Sequence, residues 1–507
     1  MWAVRAKLSL QLRFSPEKMW SSKSLAVLAL LCLASGVAVA SIPDAWIRAT
    51  DRLRAQHIAD FGPPEHHMVE MRDGVKLSTV VYIPRNNESA VLPVVMDRSP
   101  YGHFATELLA LIFARFGFVA VMQDVRGARR SEGKYEFWRT DGEDTSDTID
   151  WLSEQPWCDQ QVFQIGFSAD GNAALAGGRF TPELLKGQWI GWATGDGHGT
   201  AFQGGVWVEN LLEGWLTRTG FPEMVEEVLE NEEYTPEWWG PIDIDANGDI
   251  CRWPSAHWAG WYDIFQAQTI EAWEWYQSSV SGCPDRATLF IDPHGHCGMM
   301  DVGDTVYPLS RLPLPIFQAI DLFVAESGNA FGREKLNALY QPEDADALTF
   351  YVMGAGEEST HANYWTTLPA FPTPTIESWF LHADGSLARN ASSSADASVS
   401  FVYDPKNPVE SNGGNNLLID CGQFDQRANE GRDDVLVFTS AALTEPYAIT
   451  GRMYGKLFVE TSANDTDFTV MINDVYPDGR SLNIADGIVR LLWRERYALL
   501  IDIECLC

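Results

Sequence analysis

The chain has 507 residues, more than one hydrophobic core ordinarily organises, and this length predicts two or three domains. Hydrophobic residues make up 46% of the chain and charged residues 21%, values that exclude a disordered or fibrous protein. The formal net charge of −34 argues against a nucleic acid or an anionic membrane surface as a partner, because like charges repel.

The N-terminal residues 1–40 have the three-part pattern of a secretory signal peptide. Lys18 and Lys23 precede an apolar run at 25–33, and Ala-Val-Ala at 38–40 provides small residues before a cleavage site. The apolar run is shorter than the roughly 20 residues that a membrane-spanning helix needs. We therefore predict a secreted or periplasmic protein that is not membrane-bound once the signal is removed. In an oxidising compartment some of the seven cysteines beyond residue 40 could pair, although their spacing does not fix the connectivity.

Short apolar segments alternate with longer amphipathic ones at 65–195, after a lead-in at 41–64. Strand and helix in alternation predict a mainly parallel sheet, with antiparallel pairing near its start, where the strands follow each other too closely for helical crossovers. The same alternation returns at 256–346, and Asp141 is the expected cap of one helix. The predicted strands are 77–83, 92–97, 118–123, 162–165, 255–258 and 287–291, and the predicted helices are 108–116 and 144–152.

Residues 196–255 interrupt this alternation and are rich in Trp, Glu and Gly. They predict a cap inserted over one edge of the sheet, with helices near 206–215 and 223–231. From 347 to 507, short alternating segments such as 349–353 are separated by Gly, Pro, Asn and Asp. That spacing is typical of an all-β sandwich or jelly roll. The expected architecture is an α/β domain in two parts with an inserted cap, followed by a β domain.

A turn between a strand and a helix carries the strongest local signal. An apolar strand runs into Gly166-Phe167-Ser168, and small residues open a helix directly afterwards. This arrangement is typical of a nucleophile elbow, in which the serine occupies a strained turn at the positive end of a helix. The next glycine is Gly171, one place later than in the usual Gly-x-Ser-x-Gly pattern. We predict that Ser168 is a nucleophile.

A serine hydroxyl needs a base, and the base needs an orienting acid. After an elbow of this kind the acid comes before the histidine in the chain. His294 and His296 both follow a predicted strand, and either fits the base on pattern alone. Asp263 also follows a strand and is the first choice for the acid. Asp292 is the rival, although it lies close to the histidines in sequence.

Several further motifs follow one another along residues 65–490. They are Met-Arg-Asp-Gly-Val-Lys-Leu at 71–77, Arg-Ser-Pro-Tyr at 98–101, Gln-Asp-Val-Arg-Gly at 123–127, Ser-Glu-Gly at 131–133, Gln-Pro-Trp-Cys-Asp at 155–159, Gly-Trp-Tyr-Asp at 260–263 and Asp-Val-Tyr-Pro-Asp-Gly at 474–479. With the Ser168 turn, this series resembles the cocaine-esterase and X-Pro dipeptidyl-peptidase (CocE/NonD) family of hydrolases. That family also includes α-amino-acid ester hydrolases and glutaryl acylases.

The resemblance implies an α/β-hydrolase fold with a helical cap and a C-terminal β jelly-roll domain. It implies cleavage of an ester or amide bond in a small molecule or peptide through an acyl-enzyme, with no cofactor required. Asp263 would be the acid and His296 the base. The hydroxyl of Tyr101 and the backbone amide of Ala169 would form the oxyanion hole, which is sensible because a phenol is a good donor to a developing alkoxide. By contrast, Asp124 and Arg126 are expected to brace the sheet edge.

The chain departs from the family pattern at several places. Ala169 stands where the family has Tyr, and 292–296 reads Asp-Pro-His-Gly-His instead of Gly-Pro-Trp-x-His, which keeps His294 as a second candidate. The cap is short. After Arg490 an apolar tail with two cysteines replaces the family's further strands, and we expect an incomplete jelly roll from a truncated or frame-shifted reading.

An acidic loop in the cap region is a separate signal. Asp243, Asp245, Asn247 and Asp249 place oxygen ligands at alternate positions, with a glycine for the turn, as in a calcium loop. The glutamate expected at the twelfth position is replaced by Pro254. The hypothesis is a structural calcium site, and the alternative is an Asx-rich turn without metal.

Two classes of function remain. The first is a secreted or periplasmic serine hydrolase. The second is a non-catalytic secreted binding protein that uses the aromatic β domain, with an inactive hydrolase domain. The complete set of Ser, His and Asp favours the enzyme.

Overall fold

A computed structural model describes most of the chain. It covers residues 44–84, 91–180, 183–244, 253–277, 286–296, 303–305, 313–340, 347–354, 362–373, 375–391, 398–493 and 501–505. The predicted signal peptide at 1–40 lies outside these residues. No helix in the described ranges combines the length and apolar character that crossing a bilayer requires.

The described residues form helices and strands in alternation up to residue 352, and mainly strands thereafter. The helices are α1 (Asp44–Phe61), α2 (His103–Arg115), α3 (Asp141–Ser153), α4 (Ala169–Gly178), α5 (Gly197–Ala201), α6 (Glu209–Thr219), α7 (Glu223–Leu229), α8 (Gln266–Gln277), α9 (Pro313–Ser327), α10 (Ala330–Asn337) and α11 (Arg427–Glu430), with 3-10 turns at Gly240–Ile242 and Leu491–Trp493. The strands are β1 (Glu65–Glu70), β2 (Lys76–Tyr82), β3 (Leu92–Ser99), β4 (Val119–Asp124), β5 (Cys158–Phe167), β6 (Leu185–Gly191), β7 (Phe202–Gln203), β8 (Val206–Trp207), β9 (Ser255–Tyr262), β10 (Ala287–Gly295), β11 (Leu348–Val352), β12 (Tyr364–Leu368), β13 (Phe380–Leu381), β14 (Ser386–Ala388), β15 (Thr439–Ser440), β16 (Gly455–Val459), β17 (Asp467–Val475), β18 (Ser481–Arg490) and β19 (Ile501–Cys505).

A ten-stranded sheet forms the centre of the molecule, in the order β1-β2-β4-β3-β5-β6-β9-β10-β11-β12. The strands from β4 to β11 along this order pair in parallel, while β1, β2 and β12 pair antiparallel with their neighbours. The predicted fold class is therefore confirmed, including the antiparallel start. The closely spaced first strands have no room for a helical crossover and so must pair antiparallel.

Helices cover both faces of this sheet. Along β3, Val95 belongs to a cluster with Phe113 of α2 and Phe323 of α9, whereas its neighbour Val94 belongs to a cluster with Ile149 of α3. Successive strand residues point to opposite faces, so both faces of a central strand need apolar residues. That requirement explains the continuous apolar runs from which the strands were predicted.

Two details differ from the sequence predictions. The segment predicted as a β-domain strand at 349–353 is β11, which pairs in parallel with β10, so the central sheet continues past the boundary expected at residue 346. Asp141 is the first residue of α3 and not its cap. Its carboxylate instead accepts a 2.7 Å hydrogen bond from the buried guanidinium of Arg98, because a buried charge is costly without a partner.

The cap and the C-terminal region complete the fold. Between β6 and β9 the chain forms α5, the β7–β8 hairpin, α6 and α7, so part of the helix predicted at 206–215 is strand. After β12 the described residues form an all-β domain in three small sheets, β13-β14-β15, β16-β19 and β17-β18. This all-β domain agrees with the β domain that was predicted to follow the α/β domain.

Candidate active site

Ser168 occupies the sharp turn between β5 and α4. Its φ of 58° and ψ of −128° lie in a region that non-glycine residues rarely adopt, and strain of this kind concentrates at functional turns. Glycines allow the turn to close. A Cβ on Gly166 would lie 2.2 Å from the carbonyl oxygen of Asp170, and one on Gly171 would lie 2.6 Å from the Cβ of Ala193. Gly171, one place later than in the usual motif, thus leaves room for the segment that directly follows β6.

Three predicted side chains meet beside this turn. His296 Nε2 lies 2.9 Å from Ser168 Oγ, and His296 Nδ1 lies 2.7 Å from Asp263 Oδ2. The second oxygen of Asp263 accepts the backbone amide of Phe265 at 2.8 Å. Relative exposure is 5% for Ser168 and 1% for each of the other two, so water competes little for these contacts. The imidazole is positioned to take a proton from the serine hydroxyl, with its other nitrogen held by the carboxylate.

The rival residues His294 and Asp292 form a separate buried pair. His294 Nδ1 lies 3.3 Å from Asp292 Oδ1, and the other oxygen of Asp292 accepts the indole N–H of Trp258 at 2.7 Å. Among the described residues, no hydrogen bond joins His294 or Asp292 to Ser168. Because β10 continues to Gly295, His294 still belongs to the strand while His296 follows its end.

Tyr101 and Ala169 both lie next to the serine. The Tyr101 hydroxyl lies 3.5 Å from Ser168 Oγ, and it accepts a 2.9 Å hydrogen bond from the indole of Trp215 in the cap. Burial, followed by the charge of Asp170, raises the pKa of Tyr101, so the phenol keeps its proton at neutral pH. Ala169 is the first residue of α4, where backbone amides have no partner within the helix. Both groups are thus suited to donate to a negatively charged oxygen.

The C-terminal all-β domain contacts the segments that carry the acid and the base. Asn415 Nδ2 donates to the backbone carbonyl of Asp263 at 2.8 Å, and the hydroxyl of Tyr262 donates to the carbonyl of Asn483 at 2.9 Å. Cys421 is disulfide-bonded, and its sulfur lies 2.6 Å from where a Cβ on Gly295 would stand. The histidine loop and the acid turn are therefore held from both domains.

A pair of buried carboxyl groups lies beneath the nucleophile turn. Burial raises the pKa of Asp97 on β3 to about 7. The pKa of Asp170, two residues after Ser168, is raised well above its usual range by burial and then by the charge of Asp97. Two buried negative charges repel each other, so ionisation of both groups at once is disfavoured.

Asp124 ends β4 and Arg126 follows it, and both make bracing contacts at the end of this strand. Arg126 donates to Asp144 and to Asp73, each at 2.6 Å, and links α3 to the turn before β2. Asp124 accepts the backbone amide of His103 at 3.1 Å at the start of α2.

The proposed calcium ligands fall largely outside the described residues. Asp243 is described, and its carboxylate accepts the hydroxyl of Tyr234 at 2.6 Å. Asp245, Asn247 and Asp249 lie outside. In the ranges that the structure describes, no group of three or more His, Cys, Asp or Glu side chains is arranged to hold a metal ion. The calcium site stays a prediction.

Two site residues had no sequence signal of their own. Trp215 and Asn415 contact Tyr101 and Asp263 from 114 and 152 residues away, and a single sequence carries no trace of such pairs. The only hint was the concentration of tryptophan in the predicted cap.

Two family models match the chain. Residues 73–223 match the model of X-Pro dipeptidyl-peptidase (S15 family), and residues 343–500 match the model of the X-Pro dipeptidyl-peptidase C-terminal non-catalytic domain. Among curated proteins, the chain is 28% identical over 495 residues to the cocaine esterase of Rhodococcus sp. (strain MB1 Bresler), which covers 84% of this chain and 83% of that protein.

Solved structures share the fold over most of the chain. An aminopeptidase from the marine sediment archaeon Thaumarchaeota archaeon matches with a TM-score of 0.65 and 20% identity, over 87% of this chain and 84% of that one. An α-amino-acid ester hydrolase matches with a TM-score of 0.60 and 20% identity, over 86% and 83% of the two chains. The predicted architecture of α/β-hydrolase followed by a β domain is therefore shared with these proteins.

Proposed function

The chain belongs to the cocaine-esterase and X-Pro dipeptidyl-peptidase (CocE/NonD) family of hydrolases, and from that premise we propose that it is a serine hydrolase which cleaves esters or amides through an acyl-enzyme on Ser168. The observation that carries this proposal is the continuous hydrogen-bonded contact from Ser168 through His296 to Asp263. A serine with this partner set is an activated nucleophile.

The reaction would run in two halves. His296 takes the proton of Ser168 as the serine oxygen attacks the substrate carbonyl, and Asp263 stabilises the imidazolium that forms. The Ala169 amide and the Tyr101 hydroxyl donate to the oxyanion of the tetrahedral intermediate. His296 then gives its proton to the leaving alcohol or amine, which frees it and leaves the acyl group on Ser168. Water, activated by the same imidazole, releases the acid.

A small ester, amide or peptide is the proposed substrate. The relative from Rhodococcus is named as a cocaine esterase, and two family models describe X-Pro dipeptidyl-peptidases. In this chain the buried aromatic rings of Trp138, Trp215 and Phe265 belong to one cluster with Tyr101, which places apolar rings beside the proposed oxyanion hole. Apolar walls with few polar groups are typical of small-molecule pockets.

We also propose export from the cytoplasm. The predicted signal peptide is one support, and the disulfide-bonded state of Cys421 is the other, because disulfides persist mainly in oxidising compartments. No cofactor enters the proposed mechanism.

Labelling with a fluorophosphonate probe tests the activated serine, and hydrolysis of p-nitrophenyl esters and aminoacyl p-nitroanilides tests the reaction. Ser168→Ala should abolish labelling and lower turnover by roughly 10⁶-fold, since members of a triad act as a unit. Ser255→Ala is a matched control, because that buried hydroxyl also contacts a histidine, with 3.0 Å between Ser255 Oγ and His257 Nε2. The control should label normally.

Undiminished labelling of the Ser168→Ala protein would show that another residue is the nucleophile. A wild-type protein that neither labels nor hydrolyses any member of the panel would instead favour the non-catalytic binding protein.

A further inference from the structure

The hydroxyl of Tyr101 has polar neighbours of different chemistry. Trp215 Nε1 lies 2.9 Å away and can only donate, so the phenol oxygen must accept from it. Ser168 Oγ lies 3.5 Å away, and the backbone amide of Ala169 also interacts with the phenol. In the proposed mechanism the serine hydrogen is directed to His296 Nε2, 2.9 Å from Ser168 Oγ. The hydrogen in the contact between Tyr101 and Ser168 is therefore the one that the phenol donates, next to the atom on which the oxyanion would form.

We propose that Trp215, contributed by the cap, is a positioning residue that directs the Tyr101 hydroxyl into the oxyanion hole. This inference rests on the proposed function, because it concerns the same site. A donor to the phenol oxygen also polarises the phenolic O–H and strengthens the bond that this hydrogen makes. The contribution of Trp215 should therefore appear only when charge develops on the substrate oxygen.

A second indole fixes the position of the first. Trp138 stacks against Trp215, with ring centroids 5.2 Å apart and planes inclined by 13°. The Trp138 indole donates to the carbonyl of Ala169 at 2.9 Å. Both rings are buried. Each residue that supplies an oxyanion donor, Tyr101 or Ala169, is thus hydrogen-bonded to one member of a stacked tryptophan pair, which links the cap to the nucleophile turn.

Trp215→Phe keeps an aromatic ring in the stack and removes the N–H. We expect kcat for a p-nitrophenyl ester to fall roughly 3- to 10-fold, the effect of one ordinary hydrogen bond, with KM little changed. Trp239→Phe is the matched control, since it removes another buried indole N–H of the cap that donates at 2.9 Å, here to the carbonyl of Asn231. The control should leave kcat unchanged.

A double-mutant cycle separates positioning from a general loss of packing. If Trp215 acts through Tyr101, the Trp215→Phe change should lower kcat no further in a Tyr101→Phe protein. A boronic acid that bonds to Ser168 gives a second readout, because its affinity should follow the same pattern without turnover.

Two results would overturn the inference while leaving the proposed function intact. One is an active wild type whose Trp215→Phe variant matches it in kcat and boronic acid affinity. The other is a Trp215→Phe loss that persists in full in the Tyr101→Phe background. A wild type that neither turns over ester nor binds the boronic acid would overturn the proposed function and this inference together.

Discussion

Replacing His296 by alanine is the sharpest single test of the proposed mechanism. The substitution removes both the 2.9 Å contact to Ser168 Oγ and the 2.7 Å contact to Asp263, so the serine hydroxyl loses its base entirely. Loss of a triad histidine lowers kcat by roughly 10⁶-fold, which corresponds to about 8 kcal/mol of transition-state stabilisation. His294→Ala is the natural comparison, because this equally buried histidine lies two residues away and contacts Asp292 instead.

The assay is p-nitrophenyl ester hydrolysis, corrected for the folded fraction by circular dichroism. We expect His296→Ala to reach only background rates, and His294→Ala to stay within about threefold of wild type in kcat while melting at a lower temperature, since truncating a buried side chain destabilises the core. Wild-type activity in His296→Ala together with an inactive but folded His294→Ala would refute the assignment of the base.

Three further predictions concern the surroundings of this site. Tyr101→Phe should lower kcat roughly 10²- to 10³-fold with little change in KM, and an unchanged kcat would remove the phenol from the mechanism. Because the pKa of Asp97 is raised by burial to about 7, against about 3.9 in the unfolded chain, folding retains a proton that the unfolded chain releases. The contribution of this group to the free energy of unfolding is full below about pH 4 and is lost as pH rises to about 7. Asp97→Asn should therefore reduce the fall in melting temperature between pH 5 and pH 8. An equal fall in the wild type and the variant would contradict this. If the loop at 243–249 holds calcium, EGTA should lower the melting temperature and Asp245→Ala should abolish that sensitivity, whereas identical curves with calcium and EGTA would exclude the site.

Strands were predictable from sequence where both faces of the sheet are covered. The prediction at 162–165 lies in the buried part of β5, but the strand begins at Cys158. Residues 159–161 (Asp-Gln-Gln) are polar and at least partly exposed, so they interrupt the apolar run. The order of the strands was beyond reach, since it depends on pairings between residues far apart in the chain. For the same reason β11 was assigned to the wrong sheet.

The residues of the candidate site likewise fall into those that the sequence predicted and those that it did not. Ser168 and Asp263 follow strands and have local motifs, so sequence nominated them directly. The residue pattern alone left both His294 and His296 open, and only the family resemblance favoured His296. The end of β10, which separates the two, is a boundary that pattern fixes poorly. Trp215 was invisible as a partner of Tyr101, because only the folded cap brings its indole to the phenol.

The contacts that the C-terminal domain makes beside Asp263 and Gly295 determine the stage of synthesis at which the site can be completed. The nucleophile turn, its two glycines and the neighbouring strand β6 all precede residue 200 and are synthesised early. Asn415, Cys421 and Asn483, which support the acid and the histidine loop, leave the ribosome more than 200 residues later.

On the proposed mechanism, a growing chain would therefore carry its nucleophile long before it carries the supports of the acid and base. Hydrolysis should begin only when translation has passed Asn483 and the late segment has docked. Enzyme activity would then indicate that both domains have assembled, and nascent or truncated chains would be inactive.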